Sequence, residues 1–310
     1  MNKKNLIIGT GVIAAYLSNE LLKNKEKVIV TSRTIKKNYK NFQYLKIQKK
    51  IKFEKLNVKN KKEIENVIRK YNPYKIFYFA GQSSLTKSKI LKKETIESHY
   101  VGTRNFLDIL KKKKLNCKFF KANSGYIFKP KNGKINLKSQ YSKSKNEYVI
   151  AQQKTFKIIN NYRKYKLNLF NLVFLQVESP LRPDDYFIKK VCLGAKYKKK
   201  IAVGNIKIYR DYSWISEIVK AIYLTSSLRP KNFIISAGKR LSGEEILKIA
   251  YKFNNLNYKR YFIESEKFFR ENETKVLVGS SKNISYLKKK FNFEFKIFEK
   301  KLIKKIYKNL

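Results

Sequence analysis

Apolar runs of five or six residues alternate with longer stretches in which apolar positions recur every three to four residues. Residues 4–9 read as a short strand, 13–22 as an amphipathic helix, and 27–31 (Lys-Val-Ile-Val-Thr) as a β-branched strand. The pattern then predicts strands at 53–58 and 75–80, separated by a helix over 61–70 that Asn72-Pro73 closes. A helix over 95–113, a strand over 117–122, a helix over 139–163 and a strand over 167–175 complete the series. Strands and helices that alternate through such short connections predict an α/β fold, a Rossmann-like doubly wound parallel sheet.

Past Glu178 the period is less regular. Pro180, Pro183 and Asp184-Asp185 mark a surface crossing, residues 233–237 read as one more sheet strand, and Ser242-Gly-Glu-Glu245 opens a helix with a capping pattern. The tail from Lys288 reads as a pair of basic amphipathic helices that pack on the body. The expected organisation is therefore a dinucleotide-binding domain over 1–175, joined by returning elements near 205–237, and a smaller C-terminal substrate-binding domain within 176–310.

Composition removes several function classes. No run approaches the roughly 18 apolar residues of a membrane span. The basic, apolar start lacks a small-residue cleavage site, so the sequence reads as cytoplasmic and without a membrane partner. Cys117 and Cys192 have no metal-ligand spacing, so no metal is expected. The net charge of +51 comes from lysine scattered along the whole chain. Arginine, whose planar fork reads bases and phosphates, is scarce, so nucleic acid is not the expected partner. The surplus still raises the local concentration of any phosphorylated ligand.

Gly9, Gly11 and Ala14 form Gly-x-Gly-x-x-Ala between the first strand and the first helix. Gly9 suits a tight turn, Gly11 a close approach of pyrophosphate to the backbone, and Ala14 tight helix–sheet packing. The second strand ends in Ser32-Arg33 rather than in a carboxylate for a ribose diol, which favours NADP, with NAD as the alternative cofactor. Asn57 is placed to meet the adenine, and Ala80-Gly81-Gln82 to pass beneath the adenosine and ribose.

Tyr141 and Lys145 would share a helix face, where the ammonium favours the phenolate and makes the tyrosine an acid/base. The spacing alone says little, since 22 tyrosines in a lysine-rich chain give about four such pairs by chance. Position selects this pair: Ser124 ends the fifth strand and the pair follows on the next helix, where open α/β sheets bind their ligands.

Ser124, Tyr141 and Lys145 in this frame resemble the extended short-chain dehydrogenase/reductase (NAD-dependent epimerase/dehydratase) family. Ala80-Gly-Gln-Ser-Ser84, Glu178-Ser-Pro-Leu-Arg182, Gly204-Asn205 with Arg210-Asp-Tyr212, and Phe269-Arg270 with Val278-Gly279 look like its GDP-mannose 4,6-dehydratase branch. The resemblance implies a GDP-linked nucleotide-diphosphate sugar, bound by Glu178, Ser179, Arg182, Lys190, Arg210, Arg270 and Glu273. It places four cations around the diphosphate and leaves Glu273 for ribose hydroxyls. It further implies a homodimer or homotetramer. In that branch the tyrosine takes the C4 hydroxyl proton, hydride passes to the nicotinamide, and a glutamate takes the C5 proton as water leaves C6. This chain has Ser124-Gly-Tyr126 where the branch has Ser/Thr-Ser-Glu, so Tyr126 stands at the glutamate position. Three readings stay open: a 4,6-dehydratase, a 4-ketoreductase, C4 oxidase or epimerase without elimination, and a non-catalytic cofactor-binding scaffold.

Overall fold

The computed structural model describes residues 3–269 and 273–310. The chain divides into two compact units. The first comprises residues 1–129, 140–174 and 219–233, and the second 130–139, 175–218 and 234–310.

Seven strands form the principal sheet: β1 (Lys4–Ile8), β2 (Lys27–Ser32), β3 (Lys52–Lys55), β4 (Lys75–Tyr78), β5 (Lys118–Ser124), β6 (Asn168–Phe174) and β7 (Asn232–Ile235). Their order is β7-β6-β5-β4-β1-β2-β3, and all the pairs from β1 to β6 are parallel. This is the doubly wound arrangement the strand–helix alternation predicts. Register explains the aromatic content of the central strands. Phe77, Phe120 and Phe170 fall in one row across β4, β5 and β6 and stack face to face at 4.7 and 4.3 Å between centroids. On the other face Ile76, Tyr78, Phe119 and Leu169 meet Ile64, Val67 and Ile68 of the helix Lys61–Tyr71 and Phe106, Leu107 and Leu110 of the helix Gly102–Lys112. Each fully buried ring contributes on the order of 2–3 kcal/mol of hydrophobic stabilisation.

The expected helix over 95–113 is present as Lys92–Ile96, a single π turn Glu97–Val101, and Gly102–Lys112. The π turn frees the His99 carbonyl to accept from both Thr103 Oγ1 and Thr155 Oγ1, at 2.6 and 3.2 Å.

The helix predicted over 139–163 is corrected: it runs only over Glu147–Tyr162. Three short side chains hold the preceding residues out of it. Ser142 Oγ accepts from the Ser144 amide, Ser144 Oγ from the Asn146 amide, and Asn146 Oδ1 from the Tyr148 amide as the N-cap. Such local bonds offer the backbone an alternative to helix, and the helix begins where the last of them caps it.

In the second unit a strand Tyr209–Trp214 lies between Arg240–Ser242 and Val276–Gly279, with Lys134–Ile135 beyond, and also pairs with Gln176–Glu178. A two-stranded piece joins Phe262–Glu264 to Ile201–Val203. The helices Phe187–Lys196, Gly243–Lys252 and Glu299–Lys308 pack on one another. Ser242 and Glu245 make the predicted reciprocal capping box. The first tail helix starts at Lys282, earlier than the apolar period suggests. No helix of the described residues is long and apolar enough to cross a membrane.

Candidate active site

The glycine loop lies at the carboxyl end of β1. Gly9 has φ +107°, a conformation open to glycine, and its amide donates to Thr31 O at 3.1 Å. Gly11 is the N-cap of the helix Val12–Lys23, with an ordinary φ of −71°. A Cβ built on Gly11 meets nothing within 4 Å, so open space faces the helix N-terminus there. Ala14 is fully buried against the sheet, and Asn41 Nδ2 pins the loop by donating to Thr10 O at 3.1 Å. A positive helix end facing open space beside bare backbone is the cradle a dinucleotide pyrophosphate needs, so the residues fit that group.

The remaining cofactor candidates line the same end of the sheet. Ser32 ends β2, and the exposed Arg33 forms a 2.7 Å ion pair with Glu94. Asn57 follows β3, its amide donating to Glu63 and its side chain accepting from the Lys59 amide. After β4, Gly81 takes φ +116°, and Gln82 donates to Thr95 and accepts from the Ser84 amide.

Beneath this loop lies a pair that pattern reading passes over. His99 Nε2 is 2.8 Å from Gln82 O, while Nδ1 is 3.4 Å from Gln152 Nε2. The two partners fix a neutral ring with its proton on Nε2. Burial first, and then the charge of Lys121, pushes the imidazole down to about 3. A Cβ on Gly81 would collide with this ring. Lys121 on β5 falls in register with Tyr78 and Asn171 on the helix-covered face. It is fully buried, donates to Ala122 O at 2.6 Å, and is brought down to about 7 by burial. The available signal was the chain's single histidine. A lysine in an aromatic strand carries none when both faces of that strand are covered.

Ser124 closes β5, 7% exposed, and its Oγ accepts from the Tyr126 amide at 3.3 Å, capping the turn Gly125–Ile127. Tyr141 is brought to that turn. It bridges Phe128, the Lys129 amide donates to Gln140 O at 2.7 Å, and the Ser142 amide donates to Ile127 O at 2.8 Å. Gln153 Nε2 clasps both segments by donating to Ile127 O and Ser142 O. The Tyr141 ring packs on Phe128 and Phe156 under the Lys157 ammonium, 4.5 Å from its centroid.

Lys145 does not share a helix face with Tyr141. It lies exposed before the helix start, with no hydrogen bond or ion pair among the described residues. The Tyr141 phenol is accordingly raised by partial burial rather than lowered by an ammonium.

Within the second unit, Glu178 ends a strand beside Trp214 and is 3% exposed. Burial pushes its carboxyl up to about 7, against the charge of Arg182. Ser179 is fully buried, its Oγ accepting from the Leu181 amide, and the Arg182 guanidinium stacks 3.5 Å from the centre of Tyr186. Lys190 donates to Ala202 O and covers Phe268 at 4.2 Å. Arg210 is 5% exposed and bonds Glu273 at 2.7 Å and Thr274 O at 2.9 Å. The parallel pairing of Arg210 with the strand Val276–Gly279 brings Glu273 to the arginine, which bonds its Oε1. Arg270 lies outside the described residues. No group of His, Cys, Asp and Glu among the described residues could hold a metal ion.

A doubly wound sheet, a glycine loop after β1 and a serine at the end of β5 define an enzyme of the extended short-chain dehydrogenase/reductase type. The model of the GDP-mannose 4,6 dehydratase family matches residues 6–306, and the chain belongs to that family. The GDP-mannose 4,6 dehydratase of Dictyostelium discoideum is 23% identical over 98% of this chain and 94% of its own length. The Thermus thermophilus UDP-glucose 4-epimerase solved with NAD superposes with a TM-score of 0.84 at 16% identity, over 99% of this chain and 98% of that one. For the Bacillus anthracis dTDP-glucose 4,6-dehydratase with NAD the values are 0.82 and 16%, over 99% and 96%.

Proposed function

We propose that the protein transfers hydride at C4 of a nucleotide-diphosphate sugar, most closely in the manner of a GDP-mannose 4,6-dehydratase. The family match over residues 6–306 carries this reading, and Ser124, Tyr141 and Lys145 are all present within it. A nicotinamide dinucleotide held at Gly9, Gly11 and Ala14 supplies the hydride acceptor, with Ser32, Arg33, Asn57, Ala80, Gly81 and Gln82 around its adenosine half. Tyr141 takes the C4 hydroxyl proton, and Ser124 holds that oxygen. Lys145, and the second-unit groups Glu178, Ser179, Arg182, Lys190, Arg210, Arg270 and Glu273, keep their proposed roles in holding cofactor and sugar nucleotide. The assembly is a homodimer or homotetramer, and its location is cytoplasmic.

Tyr126 favours a second reading, in which chemistry stops at C4. A phenol is a weak base toward a C–H proton near neutral pH. Incubation with GDP-mannose and NADP, followed by NMR of the sugar, separates the two. The dehydratase gives a 6-deoxy-4-keto sugar without net cofactor reduction. A stoichiometric rise in reduced cofactor with C6 still hydroxylated would replace it with a C4 oxidase. Reduction of only the 4-keto-6-deoxy derivative would make the protein a ketoreductase.

Two substitutions test the cofactor assignment. Gly11→Ala puts a methyl into the open space at the helix end without backbone strain. The melting temperature should hold while the Kd for NADP rises about tenfold or more, about 1.4 kcal/mol. Unchanged NADP affinity would move the pyrophosphate elsewhere. Arg33→Ala removes a charge-assisted partner of a 2′-phosphate, expected to be worth about 1.5–3 kcal/mol. Its exposed pair with Glu94 offers little resistance to exchange. NADP affinity should fall and NAD affinity should not; equal effects on both would exclude a 2′-phosphate contact.

A further inference from the structure

The amino-terminal edge of the principal sheet, opposite the edge that carries Ser124, contains a cavity of about 610 Å³. Its floor is apolar, from Leu22, Val28, Ile29 and Tyr71. Six lysines stand around it: Lys4, Lys25, Lys27, Lys50, Lys52 and Lys70. Their convergence follows from the fold. Lys4, Lys27 and Lys52 each open one of three adjacent parallel strands, and Lys4 and Lys27 are register partners. Neighbouring strands lie about 4.8 Å apart. Lys25 reaches the rim from a turn at φ +57°, and Lys50 from the turn before β3.

The carboxylates nearby neutralise only part of this set. Glu26, the one acidic lining residue, is already held by Lys75 at 3.2 Å and by Asn5 at 2.8 Å. Glu54 is taken by Lys70 at 2.7 Å and by the Tyr71 hydroxyl. Lys4, Lys25, Lys27, Lys50 and Lys52 have no ion pair among the described residues. On a convex surface such lysines would fan apart into water. Around a concave floor they can meet one multiply charged anion at several points simultaneously. The volume of this open cleft lies in the range of small-ligand pockets and not of an extended polymer groove.

We propose that this cavity binds an oligophosphate chain, either free or carried by a nucleotide whose uncharged body lies over Leu22, Val28 and Ile29. Ammonium groups suit this ligand as point charges toward successive phosphates, without the planar geometry that arginine imposes. Since the cavity lies at the opposite edge of the sheet from the glycine loop, its ligand and NADP bind together.

Calorimetric titration of the full chain with tripolyphosphate and with ATP, under saturating NADP and at low and high salt, tests this. Saturable binding that weakens steeply with salt is expected. The variant Lys25→Gln/Lys27→Gln/Lys50→Gln/Lys52→Gln should bind at least tenfold more weakly. The variant Lys198→Gln/Lys199→Gln/Lys200→Gln/Lys248→Gln, with the same charge removed from exposed positions of the other unit, should bind as the parent does. Similar affinities for the two probes would identify the phosphate chain as the recognised part; tighter ATP binding would add the apolar floor. Equal loss in both variants would reduce the effect to overall charge and overturn the site. So would unchanged binding in the first variant, or loss of binding when NADP saturates.

Discussion

On the proposed function, Tyr141→Phe should lower kcat for turnover of GDP-mannose with NADP by about 10²- to 10⁴-fold, the range that general acid–base catalysis contributes. The substitution is clean because the side-chain contacts that hold Tyr141 in place are made by its ring. The ring packs on Phe128 at 5.8 Å and Phe156 at 6.3 Å and lies beneath Lys157. All of these contacts survive in phenylalanine, so the melting temperature and the Kd for NADP should hold. Burial raises the phenol even with the Lys157 ammonium over its ring, so the wild-type rate should climb on the alkaline side of neutral as the phenolate becomes available. That climb should vanish in the variant. Full turnover by Tyr141→Phe would remove the residue from catalysis. Loss of folding, read by circular dichroism, is excluded by the conserved ring contacts.

Lys121→Met stabilises the protein at pH 6 by a few kcal/mol, and the advantage shrinks toward pH 10. An ammonium brought from 10.5 to about 7 by burial is held in its disfavoured form at low pH. Each tenfold change in proton affinity corresponds to about 1.4 kcal/mol. Because the folded value is depressed, the stability linked to deprotonation is fully present above about 10.5 and is lost as pH falls through about 7. Methionine fills similar volume without a charge and gives up only the bond to Ala122 O and the contact with the Tyr78 ring. Urea melts at the two pH values measure the difference. An equal gap at both, or a less stable variant at pH 6, would show that the ammonium has found compensation. His99 adds a separate acid limb with the same sign, its contribution present above 6.5 and lost as pH falls through about 3. Glu178 acts in the opposite direction: its raised carboxyl contributes below 4.5, and that contribution is lost as pH rises through about 7.

Features set by local chemistry were legible in the chain. The glycine loop, the strand period and the Ser242–Glu245 capping box each depend on residues a few positions apart. The helix start at Glu147 was also written locally, in Ser142, Ser144 and Asn146, but the apolar period of the helix masked it. Tyr141 illustrates the boundary. Its place after β5 could be read from order along the chain, whereas its surroundings arise because Gln140 and Ser142 pair with the turn after Ser124. Glu273 is a similar case, since its bond to Arg210 joins residues 63 positions apart.

By itself, then, the sequence determined the alternation of strands and helices, the glycine cradle and the succession of Ser124, Tyr141 and Lys145, because periodicity and turn chemistry act over a few residues. Only the tertiary structure decided that Tyr141 and Lys145 do not share a helix face, that Lys121 and His99 are buried together beneath Gly81 and Gln82, and that Lys4, Lys27 and Lys52 surround one cavity. Register across strands and the covering of both sheet faces set those relations, and neither is encoded in any single segment.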